Sequence, residues 1–142
     1  MTAKIAYQDV EVGTELPAQS FSVTRATLVR YAGASGDFNP IHWNEKFAVE
    51  VGLPDVIAHG MFTMAEAIRV VTDWAGDPGA VVEYGVRFTK PVVVPNDDKG
   101  ATVEVSAKIA AKLDDNTVRV DLVATSAGQK VLGMSRAVVR LS

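Results

Sequence analysis

A chain of 142 residues with 48% apolar and 22% charged side chains suits one compact domain with a real core, and its net charge of −3 with no Lys/Arg cluster argues against a nucleic-acid partner. The absence of cysteine excludes disulfides, thiolate nucleophiles and thiolate metal sites, and fits a reducing compartment. The opening MTAKIAYQDVEVG lacks an apolar stretch long enough for a secretory leader, and no run approaches the ~20 apolar residues of a membrane span, so the expectation is a soluble cytoplasmic protein with no membrane partner.

In chain order, the first half reads as loop and helix. Thr24 can cap a short helix, RATLVRYA, which sets Leu28, Tyr31 and Ala32 at helical spacing. Asn44 can cap another, through Phe47 and Ala48, ended by Gly52. The longest predicted helix is MFTMAEAIRVVTDWAG, from 61 to about 75. Its charges, Glu66, Arg69 and Asp73, form a narrow stripe and the rest is apolar, the pattern of a mostly enclosed helix.

From residue 82 the period changes to two. Val82, Tyr84, Val86 and Phe88 share one face of a strand, with Glu83, Gly85 and Arg87 on the other. Pro91 and Pro95 predict a bend or an edge in TKPVVVP, and PNDDKG (95–100) is a turn. Ala101, Val103, Val105, Ala107 and Ile109 then alternate inward; LDDN turns the chain; Val118, Val120, Leu122 and Ala124 form the next buried face. SAGQ turns it again, and KVLGMSRAVVRL closes less regularly, with a bulge expected at Gly133. Four successive strands joined by short turns predict an antiparallel meander. The expectation is an α+β fold, an antiparallel sheet wrapped around a central helix.

The chemistry-bearing segment is SGDFNPIH, 35–42. Gly36 permits a left-handed turn just before Asp37, and Pro40 fixes its own φ and holds Asn39 extended. A stiff loop of this kind can hold a carboxylate, Asp37, and an imidazole, His42, at a set separation. With ordinary pKa values of about 3.9 and 6.5 they are a natural proton-transfer pair near neutral pH. Asn39 can orient a water or a side chain. In IAHGMFTM, 57–64, Gly60 and Met61 stand at the start of the enclosed helix, where free N–H groups suit a developing oxyanion and glycine allows close approach. Acid, base and oxyanion site together fit proton abstraction beside a carbonyl, coupled to loss or gain of water. The plainer alternatives are a turn role for Asp37 and a structural role for His42. His59 reads as an orienting or packing residue, Asp97 and Asp98 as a solvated turn, and Trp43 and Trp74 as packing residues. Two histidines without cysteine make a zinc site an unfavoured reading.

Tyr31, Gly33, Ser35, Gly36, Asp37, Asn39, Pro40, Ile41 and His42, followed by Ala58, His59, Gly60 and Met61, resemble the signature of the MaoC-like family of (R)-specific enoyl-thioester hydratases and dehydratases. The resemblance runs from DVEVGTELP to the last strand. It implies one hotdog domain over 1–142, a dimer, a catalytic pair at Asp37 and His42, a supporting role for Asn39, and a Gly60 N–H that serves the thioester oxygen. Within that family WAGDPGAVVEYGVRFTKPVVVPNDDKGA, 74–101, is similar to the catalytic B-type subunits of mycobacterial-type (3R)-hydroxyacyl-acyl-carrier-protein dehydratases. That implies a hydro-lyase of type II fatty acid (mycolic-type) elongation, acting on acyl-carrier-protein or acyl-CoA thioesters without metal or other cofactor, paired with a non-catalytic hotdog subunit. The alternatives are a stand-alone homodimeric (R)-specific enoyl-CoA hydratase, a hotdog thioesterase, and a non-catalytic acyl-binding subunit.

Overall fold

The structure is a computed structural model that describes residues 3–142; Met1 and Thr2, the first residues of the segment read for a leader, lie outside it. A five-stranded antiparallel sheet takes the order β1-β3-β4-β5-β2, where β1 is Gln19–Val23, β2 Val81–Phe88, β3 Ala101–Lys112, β4 Thr117–Ser126 and β5 Gln129–Arg140. Helices α1 (Arg25–Ser35), α2 (Glu45–Glu50), α3 (Gly60–Ala67) and α4 (Arg69–Ala75) lie between β1 and β2 in sequence. The sheet curls around α3 and α4 in the hotdog arrangement. No helix among the described residues is long and apolar enough to cross a membrane.

The core follows the predicted periods. Ala101, Val103, Val105, Ala107 and Ile109 of β3 are all buried, as are Val118, Val120, Leu122 and Ala124 of β4. They meet Ala67, Val70, Val71 and Ala75 from the helices. Both tight turns use paired left-handed residues, Asp115–Asn116 and Ala127–Gly128, the backbone that matches the twist of a hairpin. The expected irregularity in β5 is present: pairing with β2 jumps from Arg136 to Gly133, and Met134 between them has φ 45°. Thr24 and Asn44 cap α1 and α2, each accepting a backbone N–H with its side chain.

Four expectations are corrected. The meander has three strands, β3 to β5; β2 pairs with β5 at the far edge instead of with β3. The segment after β2 is a long excursion, kept out of the sheet by Pro91 and Pro95, so β2 is free to pair elsewhere. A further strand, β1, lies where only loop and helix were read, pairing with β3 from Gln19↔Val105 to Val23↔Ala101. The long helix is broken at Ile68. There the Tyr84 hydroxyl donates to the Met64 carbonyl at 3.0 Å, and the Ile68 N–H reaches the same oxygen at a stretched 3.3 Å. An outside donor inserted into the helical ladder is a recognised cause of such a break. Finally, β2 is bulged at two places, so Val82 and Phe88 are exposed at 48% and 56% instead of sharing a buried face with Tyr84.

Gly100 closes the turn into β3 with φ 65°, its N–H held by Asp97 Oδ1 at 2.6 Å. A Cβ here would collide with the Val23 carbonyl oxygen, part of the backbone of β1. Gly100→Ala is therefore expected to destabilise the fold by about 2 kcal/mol or more, through both strain and collision. The unfolding midpoint in denaturant checks this.

Candidate active site

The loop after α1 is stiffened by a chain of local hydrogen bonds. Gly36 takes the left-handed C-cap of α1, φ 76°, and ends the helix there. The Asp37 N–H donates to Ser35 Oγ at 3.2 Å, and Asp37 Oδ1 accepts from the Asn39 N–H at 3.1 Å. Asn39 Oδ1 in turn accepts from the Ile41 N–H at 3.2 Å and caps a single 3-10 turn, Pro40–His42. The Trp43 indole N–H clasps the Phe38 carbonyl at 2.9 Å across the same loop. Trp43, expected as a packing residue, is thus a half-exposed brace for the loop, 53% exposed. Trp74 does pack against the core.

Asp37 and His42 come together at this loop. His42 is buried, and its Nδ1 lies 2.7 Å from the Ile57 carbonyl oxygen. A carbonyl only accepts, so Nδ1 carries the proton and Nε2 presents a lone pair. Nε2 faces Asp37 Oδ2 at 3.9 Å, beyond direct hydrogen-bond range and the right size to hold one oxygen atom between them. Burial pushes the His42 imidazole below its ordinary 6.5. The Ile57 carbonyl opposes that shift, His59 adds to it, and the Asp37 carboxylate opposes it more weakly. Asp37 itself is half in solvent, with a side chain 52% exposed.

His59 stacks on His42 with ring centroids 3.7 Å apart and planes 19° from parallel. Its Nε2 donates to the Asp37 carbonyl at 3.1 Å, and Tyr31 meets its edge at 4.7 Å. His59 is the N-cap residue of α3, and Gly60 is its first helical residue. Asp37, His42, His59 and Gly60 all line one cavity of about 710 Å³, whose walls are largely apolar, from Ile41, Leu53, Ile57, Val92 and Leu132. Asn39 does not line this cavity; it is exposed, and its contribution is the cap that holds the loop.

The far wall is tied to the site by backbone. The Ala58 N–H donates to the Val92 carbonyl at 2.9 Å and the Val94 N–H to the Val56 carbonyl at 3.0 Å. Arg25 fixes the same corner, with Nε on the Val94 carbonyl and its two Nη atoms on Glu45 and Asp55 at 2.8 and 2.9 Å. Neither Arg25 nor the Ile57 carbonyl was legible as part of the site. An arginine beside a cap residue has no distinctive spacing, and a backbone carbonyl leaves no signature in sequence.

Asp37, His42 and His59 also bring three possible metal ligands within 4.8 Å of one another. The lone pair of an imidazole lies in its ring plane. Two rings stacked nearly parallel send theirs side by side instead of toward a common point, so this set does not fit a tetrahedral ion.

Residues 8–127 match the family model of the MaoC like domain. A 3-hydroxyacyl-thioester dehydratase X of Mycobacterium tuberculosis is 48% identical over 79 residues, 56% of this chain and 27% of that protein. A 3-hydroxybutyryl-CoA dehydratase of Methylorubrum extorquens is 32% identical over 138 residues, 95% of this chain and 83% of that protein. Among solved structures, a MaoC-like dehydratase superposes with a TM-score of 0.92 at 43% identity, covering 96% of this chain and 42% of that one. The chain thus spans about a quarter of the length of the first of these relatives and under half of the solved chain.

Proposed function

We propose that this chain, which belongs to the MaoC-like domain family, catalyses the reversible dehydration of (3R)-3-hydroxyacyl thioesters to trans-2-enoyl thioesters. The observation that carries the reading is the Asp37 Oδ2 to His42 Nε2 gap of 3.9 Å, opening into the same apolar cavity as the start of α3. The names of the dehydratase relatives point the same way.

The thioester carbonyl rests on the first N–H groups of α3 near Gly60, where charge developing on its oxygen is stabilised. The acyl chain lies along the apolar wall. The C3 hydroxyl sits at the gap between Asp37 and His42 and donates its single proton to one of these two acceptors. The pair removes a proton from C2, electrons shift toward the carbonyl, and the C3–O bond breaks as the hydroxyl is protonated. The proton taken from C2 leaves within the water, so the pair ends as it began. In reverse, a water held in the gap adds to C3 of the enoyl thioester.

The finer assignment is the catalytic half of a heterodimeric (3R)-hydroxyacyl-acyl-carrier-protein dehydratase of type II elongation, with Gly60 as the thioester-binding position and Asn39 as a support. It is supported by the likeness of residues 74–101 to such subunits and by the free edge of β2, with Val82 and Phe88 exposed, which suits a second hotdog chain. One observation favours a second reading, a stand-alone enoyl-CoA hydratase: the chain covers 83% of the 3-hydroxybutyryl-CoA dehydratase. Hydration of short and long trans-2-enoyl thioesters, followed by loss of enoyl absorbance, separates these. Activity only with an added hotdog partner supports the subunit, and activity alone supports the hydratase. No loss of absorbance with CoA or carrier-protein substrates, with or without the partner, overturns the activity.

A pH dependence follows from His42. Its Nε2 must be unprotonated to act with Asp37, and its folded pKa is lowered, so the acid limb of kcat/KM should have its midpoint below 6.5. The same shift acts on stability. As pH falls below about 6.5 the unfolded chain binds this proton before the folded one does, so the His42 contribution to stability is lost on acidification. A midpoint above 6.5 in the rate profile would contradict both.

A further inference from the structure

We infer that His59 is a positioning residue for this reaction, holding Asp37 and His42 at their separation and tying both to the start of α3. The inference rests on the activity proposed above. Of the buried titratable side chains in the cavity wall, His42 has a task in the mechanism and His59 has none.

One imidazole touches every part of the machinery. Its face lies 3.7 Å under His42, its Nε2–H holds the Asp37 carbonyl at 3.1 Å, and its own peptide leads into Gly60. The hydrogen bond fixes the backbone of Asp37. The side-chain turn between Asp37 and Asn39 then carries that position through to the carboxylate. The stacked face fixes the plane of His42, and the Ile57 carbonyl fixes its rotation in that plane. Together they aim Nε2 at the gap.

Packing alone does not account for an imidazole here. His59 is 2% exposed, and its Nδ1 has no hydrogen-bond partner. Burying an unpaired acceptor is unfavourable, and an apolar ring of similar size would avoid it. What an apolar ring lacks is the Nε2–H. The other ionisable groups that line this cavity are the Asp37 carboxylate, the Tyr31 hydroxyl and Lys90.

The chain has only two histidines, so each imidazole can be followed by NMR without ambiguity. His59→Phe keeps a flat ring and removes the donor. In a folded variant, kcat should fall about tenfold or more with KM within about twofold, as expected for reacting groups misplaced by a fraction of an ångström. The remaining His42 titration should move up, because the neighbouring imidazole is gone. His59→Gln, which restores a donor, should recover part of kcat. Wild-type kcat in a folded His59→Phe overturns the inference. Nitrogen-15 shifts of the unmodified protein provide a test that needs no variant: the His59 proton should sit on Nε2, and a proton on Nδ1 instead overturns it. That measurement stands apart from activity, so a chain that hydrates no enoyl thioester would refute the proposed reaction without deciding the tautomer.

Discussion

Asp37→Asn is expected to lower turnover by about a hundredfold or more while leaving the fold intact. The substitution is nearly isosteric and keeps an oxygen at Oδ1, so the bond from the Asn39 N–H survives. What it removes is the charge and basicity of Oδ2, the atom 3.9 Å from His42 Nε2. Because the Asp37 side chain is half in solvent, its loss unpairs no buried group. His42→Ala should cost at least as much activity. It is a harsher change, because it leaves the Ile57 carbonyl without its donor and His59 without its stacking partner. A stability loss of about 1–3 kcal/mol should accompany it. Turnover with a trans-2-enoyl thioester, beside circular dichroism for folding, checks both. Near-wild-type turnover in folded Asp37→Asn would remove the acid–base pair from the mechanism.

Gly60→Val is expected to reduce turnover by about tenfold to a hundredfold, by keeping the thioester oxygen away from the first N–H groups of α3. A Cβ at this position lies 2.9 Å from the Phe88 ring, so the new side chain must displace something. Phe88 is 56% exposed at the end of an edge strand and can swing outward, so the fold should survive. The collision itself offers a second explanation for any loss, and a double variant separates the two. Adding Phe88→Ala relieves the collision without exposing the helix start to the substrate. If activity returns in the double variant, the loss came from Phe88 and the oxyanion role at Gly60 is refuted.

The parts of the fold that were legible in sequence are those set by local rules. The alternation of β3 and β4 was clean because one face is buried and the other solvated, and Thr24 and Asn44 announced their helices because a cap is a local bond. The pairing of β2 with β5 was not legible, because strand order depends on contacts between residues far apart in sequence, such as Val81 and Val139, 58 positions apart. Strand β1 is five residues, QSFSV, too short and too polar for its alternation to stand out. The break at Ile68 depends on a hydroxyl from Tyr84, a residue on another element. At the site, the stiff loop that Gly36, Asn39 and Pro40 suggested is present, and it brings Asp37 beside His42. The stack of His42 on His59 could not be read, since the two lie 17 residues apart with a turn and a helix between them.

The wall segment after β2 separates two kinds of information along the chain. Asp37, His42, His59 and Gly60 are all supplied before residue 61, whereas Phe88, Thr89, Lys90, Pro91 and Val92 supply another part of the cavity lining. The two halves are joined there through main-chain atoms, from Ala58 to Val92 and from Val94 to Val56. Main-chain bonds are indifferent to side-chain identity, provided that positions 58 and 94 keep their N–H groups. The liner can therefore be exchanged while its attachment stays the same. A library confined to positions 88–92 would vary which acyl groups are accepted and leave the proton-transfer apparatus unaltered, giving evolution or an engineer a selectivity cassette.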